Sequence, residues 1–216
     1  MSQAFVRELL EAHSGLLRGL GDAGGLADDF GPDTNLPQLL HVALVNEISA
    51  SELAAAWVPS TPEVDVKMAL ARQAGDEAGH FQLVEARLGA LGISTADFAP
   101  PPANALFQYL RSLETTPDRI AAGQVALESI AYRVNEGFMR LCDKLGDAET
   151  ARLYRDIIQP EEQRHHRTGC ELLARYATTP ETQARAREAS MRALEIAAEV
   201  RRGAAQKLGT TCFPGC

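Results

Sequence analysis

Glu77-Ala78-Gly79-His80 and Glu162-Gln163-Arg164-His165 are two copies of one pattern, Glu-x-x-His, each inside a segment of helical periodicity. A step of three residues turns an α-helix by about 300°, so carboxylate and imidazole leave one face roughly 4.5 Å apart along the axis. Two such faces, each joined by one further Glu from a partner helix, make a site for two metal ions inside a four-helix bundle. The further Glu residues stand out by isolation. Glu47 is the only formally charged residue between Asp33 and Glu52, and Glu128 is the only one between Arg119 and Arg133. A lone carboxylate in an apolar helix is costly to bury unless something positive pairs with it. No Lys or Arg lies near either in sequence, and a metal pair supplies the missing charge.

Around these motifs, the apolar pattern divides the chain into helices. Phe5, Val6, Leu9, Leu10, His13, Leu16, Leu17 and Leu20 recur at helical spacing over 2–20. A Gly- and Asp-rich loop is expected over 21–35. A helix over about 36–57 comes next, then a short turn at 58–61. Thr61-Pro62-Glu63 reads as an N-cap, a proline at the first helical position and an acid in the first turn, opening a helix that runs to about Leu91. A long connection over 92–117 contains Pro100-Pro101-Pro102 and a short helix around 104–113. Helices over about 118–145 and 148–176 are joined at Gly146-Asp147, and Thr179-Pro180-Glu181 starts a last helix to about Leu208. No strand pattern competes, so the class is all-α. The order short turn, long crossover, short turn pairs the first two bundle helices and the last two.

The two halves echo each other. Glu47 precedes Glu77 and His80, and Glu128 precedes Glu162 and His165, with separations of 30 and 34 residues between lone and motif glutamates. This is an internal repeat of two helical hairpins, in which the motif glutamates most simply bridge both metals. Four carboxylates balance two divalent cations, and a donor set of oxygen with one imidazole per metal suits iron and manganese. Glu52, Glu136 and His166 compete as ligands. Asp76 and Glu161, which precede the motif glutamates, are placed to accept the outer N–H of a ligand imidazole on the facing helix, with Arg164 as a partner for either acid. Tyr132 lies one turn beyond Glu128 and either hydrogen-bonds a ligand, serves as a redox-active phenol or packs. His41 reads as a core histidine. Small residues such as Ala43, Ala50, Ala54 and Ala131 either line a channel to the metals or permit close helix packing.

Length and composition limit the alternatives. At 216 residues with 45% apolar and 23% charged content, one full domain is expected. It comprises a metal-binding bundle over about 36–176, a C-terminal helix over about 181–208 and a flexible tail over 209–216. A net charge of −8 opposes binding to nucleic acid or an anionic membrane. Arg185, Arg187, Arg192, Arg201, Arg202 and Lys207 form either a basic face or an ordinary solvated one. The first residues lack a secretion signature and no uncharged run approaches a membrane span, so a cytoplasmic location is expected. Cys142 and Cys170 read as buried thiols. Cys212 and Cys216 belong to a tail that is either mobile or a redox or soft-metal pair.

Asp76-Glu77-Ala78-Gly79-His80-Phe81 and Glu161-Glu162-Gln163-Arg164-His165-His166 resemble the paired motifs of the ferritin-like di-iron carboxylate superfamily, over about residues 36–176. The stretch Ala74 to Gly92 is similar to the tRNA-modifying di-iron hydroxylase and related bacterial ferritin-like proteins. The resemblance implies a ferritin-like antiparallel four-helix bundle with an added N-terminal and C-terminal helix. It implies that Glu47, Glu77 and His80 hold one metal and Glu128, Glu162 and His165 the other. The cofactors are then two iron ions, or manganese and iron, with dioxygen as co-substrate. The activity it implies is a di-metal oxidase or hydroxylase acting on a small organic molecule, with an electron donor and a homodimer as expected partners. The alternatives are a ferroxidase that handles metal without an organic substrate, and a binding protein that keeps the scaffold without the redox chemistry. The added helices and the long crossover depart from storage ferritins, and the paired cysteines of a rubrerythrin-type iron–sulfur tail are missing.

Overall fold

The computed structural model describes residues 2–21 and 35–215. Every regular element among them is helical: α1 (Ser2–Gly21), α2 (Leu36–Ser60), α3 (Val64–Ala90), α4 (Ala105–Arg111), α5 (Thr116–Arg119), a π-helical stretch π1 (Ile120–Leu127), α6 (Glu128–Lys144), α7 (Ala148–Leu153), a second π-helical stretch π2 (Tyr154–Ile158), α8 (Gln159–Tyr176) and α9 (Pro180–Leu208). α2 packs along α3. The rod formed by α5, π1 and α6 packs on the rod formed by α7, π2 and α8, and α3 meets α8. α1 and α9 lie against each other, α1 also touching α6 and α8, and α9 covering α5 and π1. The loop expected over 21–35 lies outside the described residues, except for its ends.

The ends of these helices arise from local chemistry. Asn35 caps α2, its Oδ1 accepting from the Gln38 amide at 3.2 Å, with Pro37 in the first turn. The turn into α3 differs from the expectation. Thr61 is not the N-cap of α3 but the residue that closes α2, in extended backbone, its Oγ1 donating to the Trp57 carbonyl at 2.8 Å. The cause is Pro62, which disfavours helical backbone in the residue before it. α3 begins two residues later, after Glu63.

Two apolar clusters flank a polar layer. One gathers Leu53, Trp57, Leu70, Phe107, Val125 and Ile130, with α1 and α9 adding Leu9, Ala193 and Leu194. The other gathers Leu40, Leu44, Val84, Leu88, Phe138 and Tyr154. On α2 and α3 the residues between the clusters include Glu47, Glu77 and His80, while Glu128 lies among first-cluster residues, between Leu127 and Ile130. α1 is tied to α9 by His13, whose Nε2 lies 3.0 Å from Ser190 Oγ. Burial, then the neighbouring His166 and Arg187, lowers the His13 pKa to about 4, so the ring is neutral where it docks.

By length and composition α2 is apolar enough to cross a membrane, although Glu47 and Glu52 interrupt it so that it contains no uncharged run of that length; its most apolar window is 50% buried within the protein, and α3 is its main neighbour. The C-terminal tail, expected to be flexible, is packed. Arg201 donates to the carbonyls of Gly215 at 3.1 Å and Phe213 at 3.0 Å, and its guanidinium lies 3.9 Å from the Phe213 ring centroid. Asn46 donates to the Pro214 carbonyl at 3.2 Å, and the Gly215 amide donates to Asn135 Oδ1 at 3.0 Å. Gly215 has φ +81, and a Cβ there would sit 2.5 Å from Asn46 Nδ2, so only glycine fits. Cys212 is a buried free thiol, as are Cys142 and, in part, Cys170. A pairing of Cys212 with Cys216 lies outside the described residues.

Candidate metal centre

Glu47 comes from α2, Glu77 and His80 from α3, Glu128 from the first turn of α6, and Glu162 and His165 from α8. All six are buried. They form two overlapping sets: Glu47, Glu77, His80 and Glu162, and Glu77, Glu128, Glu162 and His165. Within each set, one ligand atom per residue lies within 4.8 Å of every other. Glu77 and Glu162 belong to both.

Each imidazole turns Nδ1 inward. His80 Nδ1 lies 3.2 Å from Glu77 Oε2, 3.3 Å from Glu47 Oε2 and 3.7 Å from Glu162 Oε1. His165 Nδ1 lies 3.3 Å from Glu77 Oε1, 3.7 Å from Glu128 Oε2 and 3.9 Å from Glu162 Oε2. Two atoms each bound about 2.1 Å from one ion are at most about 4.2 Å apart, so these spacings fit a shared cation. The longer ones are too long for hydrogen bonds. Glu128 Oε2 and His165 Nδ1 are accordingly buried without a hydrogen-bond partner. A carboxylate oxygen and an imidazole nitrogen facing each other unbonded are what a common metal ion satisfies. The cluster of buried Glu and His side chains could therefore hold a metal pair.

The protonation of the cluster shows how strongly it wants positive charge. Burial pushes the Glu47 carboxyl up to about 8, against the pull of His80. Burial and the charge of Glu162 push Glu128 well above the usual carboxylate range. Burial acts on Glu77 in the same direction, but the adjacent imidazoles of His165 and His80 outweigh it and lower this carboxyl to about 2. Burial disfavours charge on His80, yet Glu47 and Glu77 overcome it and raise the ring to about 12. His165 is raised in the same way by Glu128, Glu162 and Glu77.

The outer face of each imidazole is held by the opposite hairpin. His80 Nε2 donates to Glu161 Oε2 at 2.8 Å, and His165 Nε2 donates to Asp76 Oδ2 at 2.9 Å. Arg164 ties the two acids together, at 2.8 Å from Asp76 and 3.3 Å from Glu161. The exchange is reciprocal: the acid before each motif glutamate orients the ring of the other motif. Each acid fixes the tautomer that leaves Nδ1 free for a metal. Asp76→Asn is therefore expected to weaken metal affinity by about 10- to 100-fold while the fold is retained, read from competition with a chelator of known affinity.

Comparison with protein-family models, with curated proteins and with solved structures finds no match to this chain.

Several features of the centre carry no signal in the motifs. Each rod carries a π-helical stretch just before the glutamate it gives to the cluster, π1 ending at Leu127 before Glu128 and π2 at Ile158 before Glu162. Both depart from the expectation of uninterrupted α-helix. A π turn holds an extra residue, so it changes the face presented by the residues after it, and such turns concentrate at functional sites. Gly169 on α8 accommodates π1: a Cβ there would lie 2.6 Å from Gln124 Cβ and 2.9 Å from the Gln124 carbonyl oxygen. Gln73 donates to Glu128 Oε1, and Gln124 donates to Gln73 Oε1 at 3.2 Å. Gln73 lies one turn before Glu77, a position from which a sequence search for charged ligands passes over it. Tyr154 is fully buried with no partner for its hydroxyl, and burial, then the charges of Glu47, Cys142 and Glu162, raises its pKa well above normal.

Other candidates sit elsewhere. Glu52 is exposed and pairs with Arg111 at 2.7 Å; Glu136 pairs with Arg133 at 3.1 Å. His166 lies 3.8 Å from Cys170 Sγ rather than in the cluster. His41, half-buried, places Nδ1 2.8 Å from the Pro37 carbonyl oxygen, inside its own helix. Tyr132 is half-buried beside Leu17 and His166, so it packs at the α1 side. Ala43, Ala50, Ala54 and Ala131 are buried, and the cavity that reaches a ligand is lined by other residues. The basic side chains of α9 are largely committed: Arg185 to Asp118 at 2.6 Å, Arg192 to Glu195 at 3.1 Å, and Arg201 to the tail.

Proposed function

We propose that this chain is a ferritin-like di-metal protein, a non-haem di-iron or manganese–iron oxidase or hydroxylase that uses dioxygen on a small organic substrate. The observation that carries this reading is the pair of four-residue sets joined through Glu77 and Glu162. The two packed hairpins, α2 with α3 and the α5–π1–α6 rod with the α7–π2–α8 rod, support the bundle. Glu47, Glu77, His80, Glu128, Glu162 and His165 would hold the metal pair, which would supply the redox chemistry for dioxygen, with an external donor as the source of electrons.

The remaining work belongs to the chain. Glu77 and Glu162 span the two positions. Glu47 and Glu128 close one position each. Four carboxylates cancel the charge of two divalent ions, so the loaded centre is neutral in an apolar interior. Asp76 and Glu161 aim the imidazoles. Gln73 holds Glu128 by one oxygen and leaves Oε2 toward His165. The apolar clusters on both sides exclude bulk water. A cavity of about 370 Å³ against His165 favours an organic substrate over metal handling alone.

The test is metal analysis of protein expressed with iron and manganese supplied, then oxygen uptake after chemical reduction. Two redox metals per chain and metal-dependent oxygen consumption are expected. Protein that binds neither iron nor manganese when both are offered would falsify the proposal.

A further inference from the structure

Beside the candidate centre, a cavity of about 370 Å³ lies between α3, π1 and α8. That volume is within the range of about 300–1,000 Å³ typical of small-molecule sites. Its wall is mainly apolar, with Met68, Ala69 and Leu172 contributing, and its inner side includes Gln73, Gln124 and His165. Two of these also belong to the centre: His165 is a candidate ligand, and Gln73 donates to Glu128. Gln124 is only 1% exposed, yet its Oε1 has no hydrogen-bond partner. A buried carbonyl left unpaired in the wall of a cavity is an acceptor that a bound molecule can satisfy.

The charges around the cavity decide what kind of molecule fits. Asp65 is already taken by Arg175 and by the Tyr176 hydroxyl at 2.6 Å. Arg164 is taken by Asp76 and Glu161. Arg72 is exposed and is the one charged residue of the lining with no partner among the described residues. On a chain of net charge −8, this leaves a locally positive mouth over an apolar wall.

We propose that this cavity binds a small organic anion, its apolar body against Met68, Ala69 and Leu172, its charged end at Arg72 and its far end at the Gln73–Gln124 pair. The inference rests on the reading of the neighbouring cluster as a metal centre acting on an organic substrate. It adds the face by which the substrate arrives, the sign of its charge and the side chains that select it. The Gln73–Gln124 pair then separates the ligand from Glu128 and is the polar end that it meets.

The experiment is calorimetric titration of the full chain with 6-hydroxyhexanoate, whose hydroxyl can donate to Gln124 Oε1, with 1,6-hexanediol and with 6-amino-1-hexanol, metal content being measured on the same sample. 6-Hydroxyhexanoate is expected to bind, the diol more weakly and the amino alcohol not at all. Arg72→Glu, on the surface, is expected to weaken 6-hydroxyhexanoate by at least about tenfold. Ala69→Trp, which fills the cavity, is expected to remove binding while metal content is unchanged. 6-Hydroxyhexanoate binding unaltered in Ala69→Trp, the amino alcohol or the diol binding as tightly as 6-hydroxyhexanoate, or no 6-hydroxyhexanoate binding to protein that carries both metals each overturns the assignment. 6-Hydroxyhexanoate binding that Ala69→Trp removes, in protein that takes up no metal, supports the cavity assignment and overturns the reading of the centre instead.

Discussion

Glu77→Ala is expected to reduce metal content from two ions per chain to none, whereas Glu128→Ala is expected to lose the ion on its own side first. The difference arises from the sharing of ligands. Glu77 contributes to both sets, lying 3.2 Å from His80 Nδ1 through one oxygen and 3.3 Å from His165 Nδ1 through the other. Glu128 belongs to one set only. The metal-free proteins should diverge as well. Glu77 is the carboxylate that stays ionised between two charged imidazoles, so its removal leaves buried positive charge uncompensated. Breaking such a buried pair costs about 3–5 kcal/mol. Glu128 is already neutral when no metal is bound, because burial and Glu162 raise its pKa. Glu128→Gln therefore leaves metal-free stability close to that of the parent. Elemental analysis and urea unfolding of the metal-stripped proteins check both halves. Two ions retained in Glu77→Ala would remove the bridging assignment.

The sequence carries these six residues unusually openly because two different physical signals coincide. Helical spacing puts Glu77 with His80 and Glu162 with His165. Isolation in apolar helices marks Glu47 and Glu128, where burial needs a compensating charge. The acids Asp76 and Glu161 are legible for a related reason: once each motif faces the other hairpin, the preceding acid reaches across to the opposite ring. The hidden features depend on distance in the chain or on backbone hydrogen bonding. Nothing in Ile120–Leu127 or Tyr154–Ile158 distinguishes a π turn from an α turn, since both accept the same residue types. The need for Gly169 appears only when α8 meets Gln124. Tyr132 and Tyr154 look alike in sequence, yet one packs at the α1 side and the other is buried in the apolar cluster against Phe138. The tail carries only the pattern of a loose end, because its partners Asn46, Asn135 and Arg201 come from three separate helices.

Metal uptake at pH 7 is expected to release about four protons per chain, and the affinity should rise steeply with pH as a result. Without metal, His80 and His165 hold a proton on Nδ1 because the carboxylates around them outweigh burial. Glu47, raised to about 8, and Glu128, raised well above its ordinary value, hold one each because burial disfavours more negative charge. Glu77, lowered to about 2, holds none. Metal coordination needs all of these groups deprotonated. Each proton released adds one decade of combined binding constant per pH unit, so four give about 10⁴ between pH 6 and 7. Above about pH 8 Glu47 ionises before the metal arrives, and the count should fall to about three. The measurement is metal titration calorimetry in buffers of different ionisation enthalpy at about pH 6, 7 and 9. Fewer than two protons at pH 7, or an affinity that is flat across this range, would mean that the imidazoles are neutral before metal binds and that the carboxylates do not control them.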